Sequence, residues 1–407
     1  MEPLLQQPGS SSHATRSSVD AAGNGGHGNG GNTTRVLLHA DVLIGSVEKH
    51  TRTLWVHEEE NGCMAQREVT YVPGLLKVLD EVLLHAADNH AAMDVDAAGG
   101  SVSVYCTGAG GVPIAVHHDM PVYVPETIFG HLRDVNDHEI ADGPSRRKYK
   151  QVFSDNMGKT SYPEVSGYNK HVSWTKVTFK PDLARFNMTR LDEDDAVTLM
   201  RKRTFDMTGV LGAAVQVVLN GKMMLVPKGW PEYVLRYIIP RSRDISEERP
   251  WICEKANDHW EVGVSLTVDG EEGLQQVSFV NNVATLSGGT HGDHVANKIA
   301  AHVVAFVKDK FEQYCGTVEE DDVKRHLMVF VNLRMENPMF DSPARETLLT
   351  PQEQFGSECE LSDLFYKKVR GSRLLARLLS RRPSRLPDAH CIVGNKRRRQ
   401  TKQRYPC

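Results

Sequence analysis

Strand and helix patterns alternate irregularly between Val36 and Asn332, and this order constrains the fold more than any other feature. After Pro73, apolar residues recur at three- and four-residue spacing: Leu75, Leu79, Val82 and Ala86, with Val78 and Leu83 on the shoulders. That spacing predicts a helix. Helical spacing also marks 193–208 and 293–311. Strand-like runs fall at 101–105, 171–179, 214–219, 262–268, 276–281 and 327–332. A strict strand–helix alternation would predict a doubly wound parallel sheet, whereas irregular order favours α+β layers. A Pro/Arg/Ser-rich stretch at 240–249 marks a domain boundary.

Charge divides the chain a second way. Its 407 residues carry a net charge of −4. Residues 364–407 hold 14 Lys/Arg and one acid, Asp388, so the −4 splits into +13 on this tail and −17 on the rest. A basic tail on an acidic body implies an anionic partner for the tail, or simply a solvated end. Residues 1–33 are Gly, Ser, Asn and His with almost no large apolar side chains, a composition that predicts disorder. The Arg/Ser/Pro-rich stretch 370–407 is expected to be unordered for the same reason. No apolar run approaches the roughly 20 residues of a membrane span. Seven cysteines without a CxxC argue against a disulfide scaffold or a structural zinc site.

The helix after Pro73 reads Asp80-Glu81-Val82-Leu83-Leu84-His85-Ala86-Ala87-Asp88-Asn89, and Glu81, His85, Asp88 and Asn89 share one polar stripe beside the apolar one. Alone, this is a solvated face. It is followed by Val104-Tyr105-Cys106-Thr107-Gly108-Ala109-Gly110-Gly111 and by Val122-Tyr123-Val124-Pro125-Glu126-Thr127-Ile128-Phe129-Gly130-His131-Leu132. Further on stand Val277-Ser278-Phe279-Val280-Asn281-Asn282-Val283-Ala284-Thr285 and Glu336-Asn337-Pro338-Met339-Phe340-Asp341-Ser342. Together these segments resemble the N-terminal ATPase and transducer region of eukaryotic type II DNA topoisomerases, members of the GHKL superfamily.

The resemblance implies an α/β sandwich ATPase domain over 34–240 and a smaller βαβ-type transducer over 241–365, with tails at 1–33 and 366–407. It implies ATP and Mg2+ as ligands, DNA as partner, a homodimer closed through the ATPase-like domain, and a nuclear location, with a mitochondrial one as the alternative. In the family, ATP closes a clamp on a DNA segment. The DNA-cleaving parts lie beyond this chain, so it is not expected to cut DNA alone.

Several residues depart from the family pattern. Glu81 matches the general base that activates water. His85 stands where the family has a magnesium-binding asparagine, and imidazole is a poor ligand for that hard ion. Asn89, Cys106, Gly108 and Gly110 fall on the nucleotide-binding segments, with Cys106 at the adenine-reading position. After Leu132 the family's Gly-rich phosphate loop is missing, and only 133–144 remains. The acids at 134, 137 and 139 are expected to repel a triphosphate. The family's Gln-x-Lys turn, whose lysine reaches the terminal phosphate, is matched to Gln352 and Glu353, which places a carboxylate where the cation belongs. An acidic run at 319–322 replaces a lysine-rich DNA-facing loop. These changes predict a degenerate ATP-operated clamp. The alternatives are a non-enzymatic dimerisation or DNA-associated module, and a non-functional gene fragment. His291 and His294 form an HxxH without a third ligand in spacing, and Lys396-Arg397-Arg398-Arg399 fits a nuclear import signal.

Overall fold

The computed structural model describes residues 44–378, apart from 59, 61, 86–89, 108–111, 119–120, 130–136, 156–158, 194, 212–216, 224–228, 240–249, 268–272, 312–317, 373 and 376–377. Strands β1 (His50–Glu58) and β2 (Cys63–Tyr71) form an antiparallel hairpin that leads into helix α1 (Pro73–His85). β3 (His90–Asp96) and β4 (Ser101–Thr107) follow, then the short α2 (Val124–Phe129). β5 (Asp137–Asp142), β6 (Arg147–Ser154), β7 (Lys159–Thr160), β8 (Glu164–Gly167) and β9 (Trp174–Phe179) come next. Helix α3 (Ala196–Leu211) precedes β10 (Val217–Leu219) and β11 (Lys222–Met223). The main sheet runs β11-β10-β3-β4-β9-β5-β6-β7, with β8 paired to β6. Its β10–β3 pair is parallel and the others are antiparallel.

α1 forms where the spacing places it. Leu75, Leu79, Val82 and Leu83 are buried, while Ala86 lies outside the described residues. They pack with Val102, Val104, Val177 and Phe179, which alternate inward along β4 and β9, and with Leu199 and Met200 of α3. α3 starts at Ala196 and not at 193, because the Glu193 carboxylate accepts the backbone N–H groups of Thr189 and Arg190 and so closes a turn.

The C-terminal half holds α4 (Trp230–Ile238), β12 (Trp251–Lys255), β13 (Trp260–Leu266), β14 (Gln275–Val280) and β15 (Val283–Thr285). The long α5 (Thr290–Phe311), α6 (Glu320–Lys324), β16 (Leu327–Leu333) and α7 (Asp363–Arg370) complete it. These strands make a second sheet in the order β12-β13-β16-β14-β15, with β14 and β16 parallel. α5 buries Val295, Ile299, Val303 and Val307 against one face. α4 covers the other with Trp230, Tyr233 and Tyr237, which meet Phe279 and Phe330 edge-on. Gly209 lets α3 approach α4 closely, since a Cβ there would lie 2.4 Å from the Tyr233 ring.

Two sequence expectations are corrected here. The segment 137–142 is a central strand of the main sheet and not a lid remnant: β5 pairs with β6 on one side and β9 on the other. Its carboxylates are not a repulsive patch, because Glu139 pairs with Lys148 at 2.8 Å and Asp137 with Lys150 at 3.6 Å. The strands on either side of the shortened connection therefore share one sheet. The tail boundary at 365–366 falls inside α7, and Phe365, Val369, Leu374 and Leu378 bury in the second core. Their helical spacing is hidden by the basic residues between them. The expected segments 1–33 and 240–249 lie outside the described residues, as does 379–407.

A cluster of four charges lies between the two cores. Arg203 Nε donates to Asp80 Oδ1 at 2.6 Å, and its Nη1 to Asp206 Oδ2 at 3.1 Å. Lys202 donates to the same Asp206 oxygen at 2.8 Å, and Tyr233 donates its hydroxyl to Asp206 Oδ1 at 2.7 Å. Arg203 Nη2 also reaches the Asn282 carbonyl at 3.4 Å. All four charged side chains are buried. Burial alone would lower the Arg203 pKa, but Asp80 and Asp206 outweigh it and hold the guanidinium charged. Removing one member of such a cluster strands the others. Arg203→Met is expected to cost about 3–5 kcal/mol. Loss of the exposed Arg190–Asp192 pair by Arg190→Ala should leave the urea midpoint nearly unchanged. Urea denaturation of both variants checks the contrast.

Two buried histidines set the pH dependence of stability. His138 stacks on Tyr149 and Phe153, and His291 lies beside Thr285 in the second core. Burial pulls His138 down to about 4 and His291 to about 3, from the ordinary 6.5. Unfolding frees both to bind protons at their ordinary pKa. The stability is therefore full above pH 6.5 and falls as the pH drops toward 4 and then 3. At pH 5 each group is expected to cost about 2 kcal/mol. A urea midpoint as high at pH 5 as at pH 7.5 would contradict this.

Candidate active site

α1 presents Lys77, Asp80 and Glu81 on neighbouring faces. Asp80 turns inward to Arg203, while Glu81 faces Arg345 of the C-terminal half. The Glu81 carboxylate is gripped by two cations. Lys77, one turn earlier on the same helix, bonds to Oε1, and Arg345 Nη2 lies 3.1 Å from the same oxygen. Lys77 is buried, which lowers its pKa despite the attraction of Glu81. Glu81 and Arg345 are each about one-third exposed, at 32% and 33%, so their pair borders solvent. A small cleft beside them is lined by Pro73, Lys77, Asp80, Leu286 and Ala344.

Arg345 comes from a turn spanning 341–347. Asp341 accepts the Thr347 N–H at 3.0 Å and its hydroxyl at 2.9 Å, and the Arg345 N–H donates to Ser342 O at 3.0 Å. Arg345 itself sits at φ 59°, a left-handed conformation that a long side chain seldom adopts. Strain of this kind persists only where surrounding bonds over-determine it.

Gln352 and Glu353, expected to form the phosphate-reaching turn, belong to a different turn from Arg345. They lie on a short 3-10 turn, Gln352–Gln354, where Gln352 bonds to His294 and Glu353 is exposed. The cation that reaches Glu81 from this half is Arg345. The sequence signal available was a basic residue shortly after the Asn337-Pro338 segment. Gln352, a nearer match to the Gln of the family turn, obscures it.

The remaining expected site residues divide by location. Cys106 lies in β4, half-buried, paired with Ala91 and Thr175. His85 is the last residue of α1, and its side chain lies outside the described residues, as do Asn89, Gly108 and Gly110. His291 and His294 belong to the core, where His294 packs between Trp260 and Phe355. The acidic run at 319–322 is partly structural: the Asp322 carboxylate accepts the Glu319 N–H at the start of α6, and Asp321 pairs with Lys324 at 2.8 Å.

The donors around Glu81 do not, among the described residues, make a magnesium site. Among the described residues no three His, Cys, Asp or Glu side chains group to hold a metal. Glu81 is already bound by two cations, and the residue one turn on is an imidazole bearer rather than an oxygen donor.

Comparison with known proteins agrees with this arrangement. The family described as DNA gyrase B matches residues 232–386, which carries the likeness through α7 and beyond. DNA topoisomerase 2 of Arabidopsis thaliana is 46% identical over 382 residues, covering 85% of this chain and 25% of that protein. The chain thus spans about a quarter of the length of the curated relatives it matches. The ATPase region of Saccharomyces cerevisiae topoisomerase II superposes with a TM-score of 0.75 at 31% identity, over 86% of this chain and 97% of that one. The ATPase and transducer domains of DNA topoisomerase II from Balamuthia mandrillaris give 0.76 at 30% identity, over 86% and 95%. Because it superposes on nearly the whole of such a region at 30–31% identity, the chain belongs to the family of ATPase regions of eukaryotic type II DNA topoisomerases.

Proposed function

We propose that this chain is a nucleotide-responsive clamp region of a type II topoisomerase, able to bind a nucleoside triphosphate but poor at hydrolysing it. The observation that carries the reading is the meeting of Glu81 and Arg345, one from each core. In this reading the first core is the nucleotide-binding domain and the second a transducer. A terminal phosphate arriving at this point competes with Glu81 for Arg345 and Lys77. Two opposite charges 4 Å apart attract by roughly 4 kcal/mol at an effective dielectric of 20, so the exchange favours a ligand carrying several charges.

Hydrolysis requires more. Phosphoryl transfer depends mainly on positioning and charge stabilisation, and a general base supplies typically about 10²–10⁴-fold. Glu81 and Arg345 provide a base and one cation. The glycine-rich loop is absent from the sequence between Leu132 and β5, and the magnesium asparagine is His85. DNA as the captured partner, closure as a homodimer and a nuclear location belong to the same proposal, the last supported by the basic run 396–399. No described helix is long and apolar enough to cross a membrane.

Two outcomes test this. Calorimetry should show a non-hydrolysable ATP analogue binding, with Arg345→Glu weakening it by about five- to thirtyfold, the span of 1–2 kcal/mol expected for a partly exposed ion pair. Undetectable binding by the unaltered chain would leave only the reading as a non-enzymatic module. Phosphate release with magnesium should not exceed that of Glu81→Ala, and release clearly above that control would overturn the claim of impaired hydrolysis.

A further inference from the structure

We infer that Arg52 and Tyr71, on the β1–β2 hairpin, are positioning residues that fix the 341–347 turn through Glu346 and so aim Arg345 at Glu81. The inference rests on the reading of Arg345 as the phosphate-facing cation, and it assigns that cation's support to a part of the chain distant in sequence.

Adjacent residues of the turn are gripped by two different elements. Arg345 reaches Glu81 on α1. Glu346 reaches the hairpin: its Oε1 accepts from Arg52 Nη2 at 2.6 Å and from the Tyr71 hydroxyl at 2.6 Å. Arg52 and Tyr71 also bond to each other. The second arm of the Arg52 guanidinium donates to Ser287 Oγ at 2.9 Å, and the Ser287 N–H donates to the Glu346 carbonyl at 2.9 Å. Side chain and backbone of Glu346 are therefore held by one network. The Glu346 side chain is only 15% exposed, which strengthens these charge-assisted bonds relative to surface ones.

The backbone explains why the support is needed. At φ 59° Arg345 would relax toward an ordinary conformation if the turn were released, and its guanidinium would leave Glu81. Asp341 closes the turn from within, but its bonds do not fix the turn against α1. The Arg52–Tyr71–Glu346 network does, because β2 ends at Tyr71 and α1 begins at Pro73, two residues later. The hairpin and the helix thus form one frame on which both Glu81 and the grip on Glu346 are mounted.

The test uses Tyr71→Phe, which removes one hydroxyl, and Arg52→Gln. Hydrogen exchange of the full chain should quicken across 341–349 in both variants, while α5 and β16 stay at the unaltered rates. In parallel, affinities for ADP and for adenosine 5′-(β,γ-imido)triphosphate are measured. The preference for the triphosphate should fall by about fivefold with ADP affinity unchanged, the loss expected for one displaced, partly exposed cation. A merely structural role would weaken both nucleotides together or lower stability alone. Unchanged exchange across 341–349 in both variants overturns the inference, as does faster exchange with the triphosphate preference intact. If the unaltered chain binds the two nucleotides equally, the reading of Arg345 as a phosphate-facing cation fails. The exchange result then still decides whether Arg52 and Tyr71 hold the turn.

Discussion

Everything near the candidate site hangs on one buried guanidinium. Arg203 lies between Asp80 of α1 and Asp206 of its own helix, and also reaches the Asn282 carbonyl in the turn between β14 and β15. With Lys202 the cluster is neutral, two cations against two carboxylates. A buried charge group is tolerable only when matched and hydrogen-bonded in this way. Asp80 immediately precedes Glu81. The same bond that fixes α1 against α3 therefore fixes the register of the candidate base, and Asn282 ties both to the second sheet.

The turn receiving that bond is itself specified locally. Asn281 and Asn282 both have positive φ, 48° and 67°, as a two-residue hairpin turn requires, and asparagine tolerates this better than most residues. Asn281 further holds Met335 through both its amide groups, at 2.8 and 2.9 Å. The contact between the cores is thus a carbonyl placed by turn geometry. The apolar surface around it comes from Trp230, Tyr233 and Phe279.

Much of this was legible in the sequence, for reasons that differ by element. α1 and α5 carry long, unbroken apolar stripes, and β14 and β16 are apolar runs between polar turns, so periodicity sufficed. β5 was hidden because His138 and Asp142 are buried on it while Asp137 and Glu139 alternate outward: a strand with a polar interior has no apolar signature. Its carboxylates looked repulsive only because their lysine partners, nine or more residues on in β6, become neighbours through pairing. α4 carries a helical stripe of Trp230, Tyr233, Val234, Tyr237 and Ile238, but at nine residues its signal is short. Arg345 carries only a weak local signal, a positive charge shortly after the Asn337-Pro338 segment. Its role comes from the approach of α1, some 260 residues earlier in the chain. Glu81 was singled out through the resemblance, since its polar stripe alone reads as a solvated face.

The unequal burial of the two ion-pair groups gives them unequal responses to salt. At physiological ionic strength mobile ions screen over a Debye length of about 8 Å, and they act on charges that solvent can reach. The Arg203 cluster is closed to them, with side-chain exposures from 0 to 6%. The Glu81–Arg345 pair is open to them on one side. Rising salt therefore loosens the meeting of base and cation while leaving the joint between the cores intact. The molecule separates a permanent electrostatic fastening from an adjustable one, and only the second lies where a charged ligand would compete.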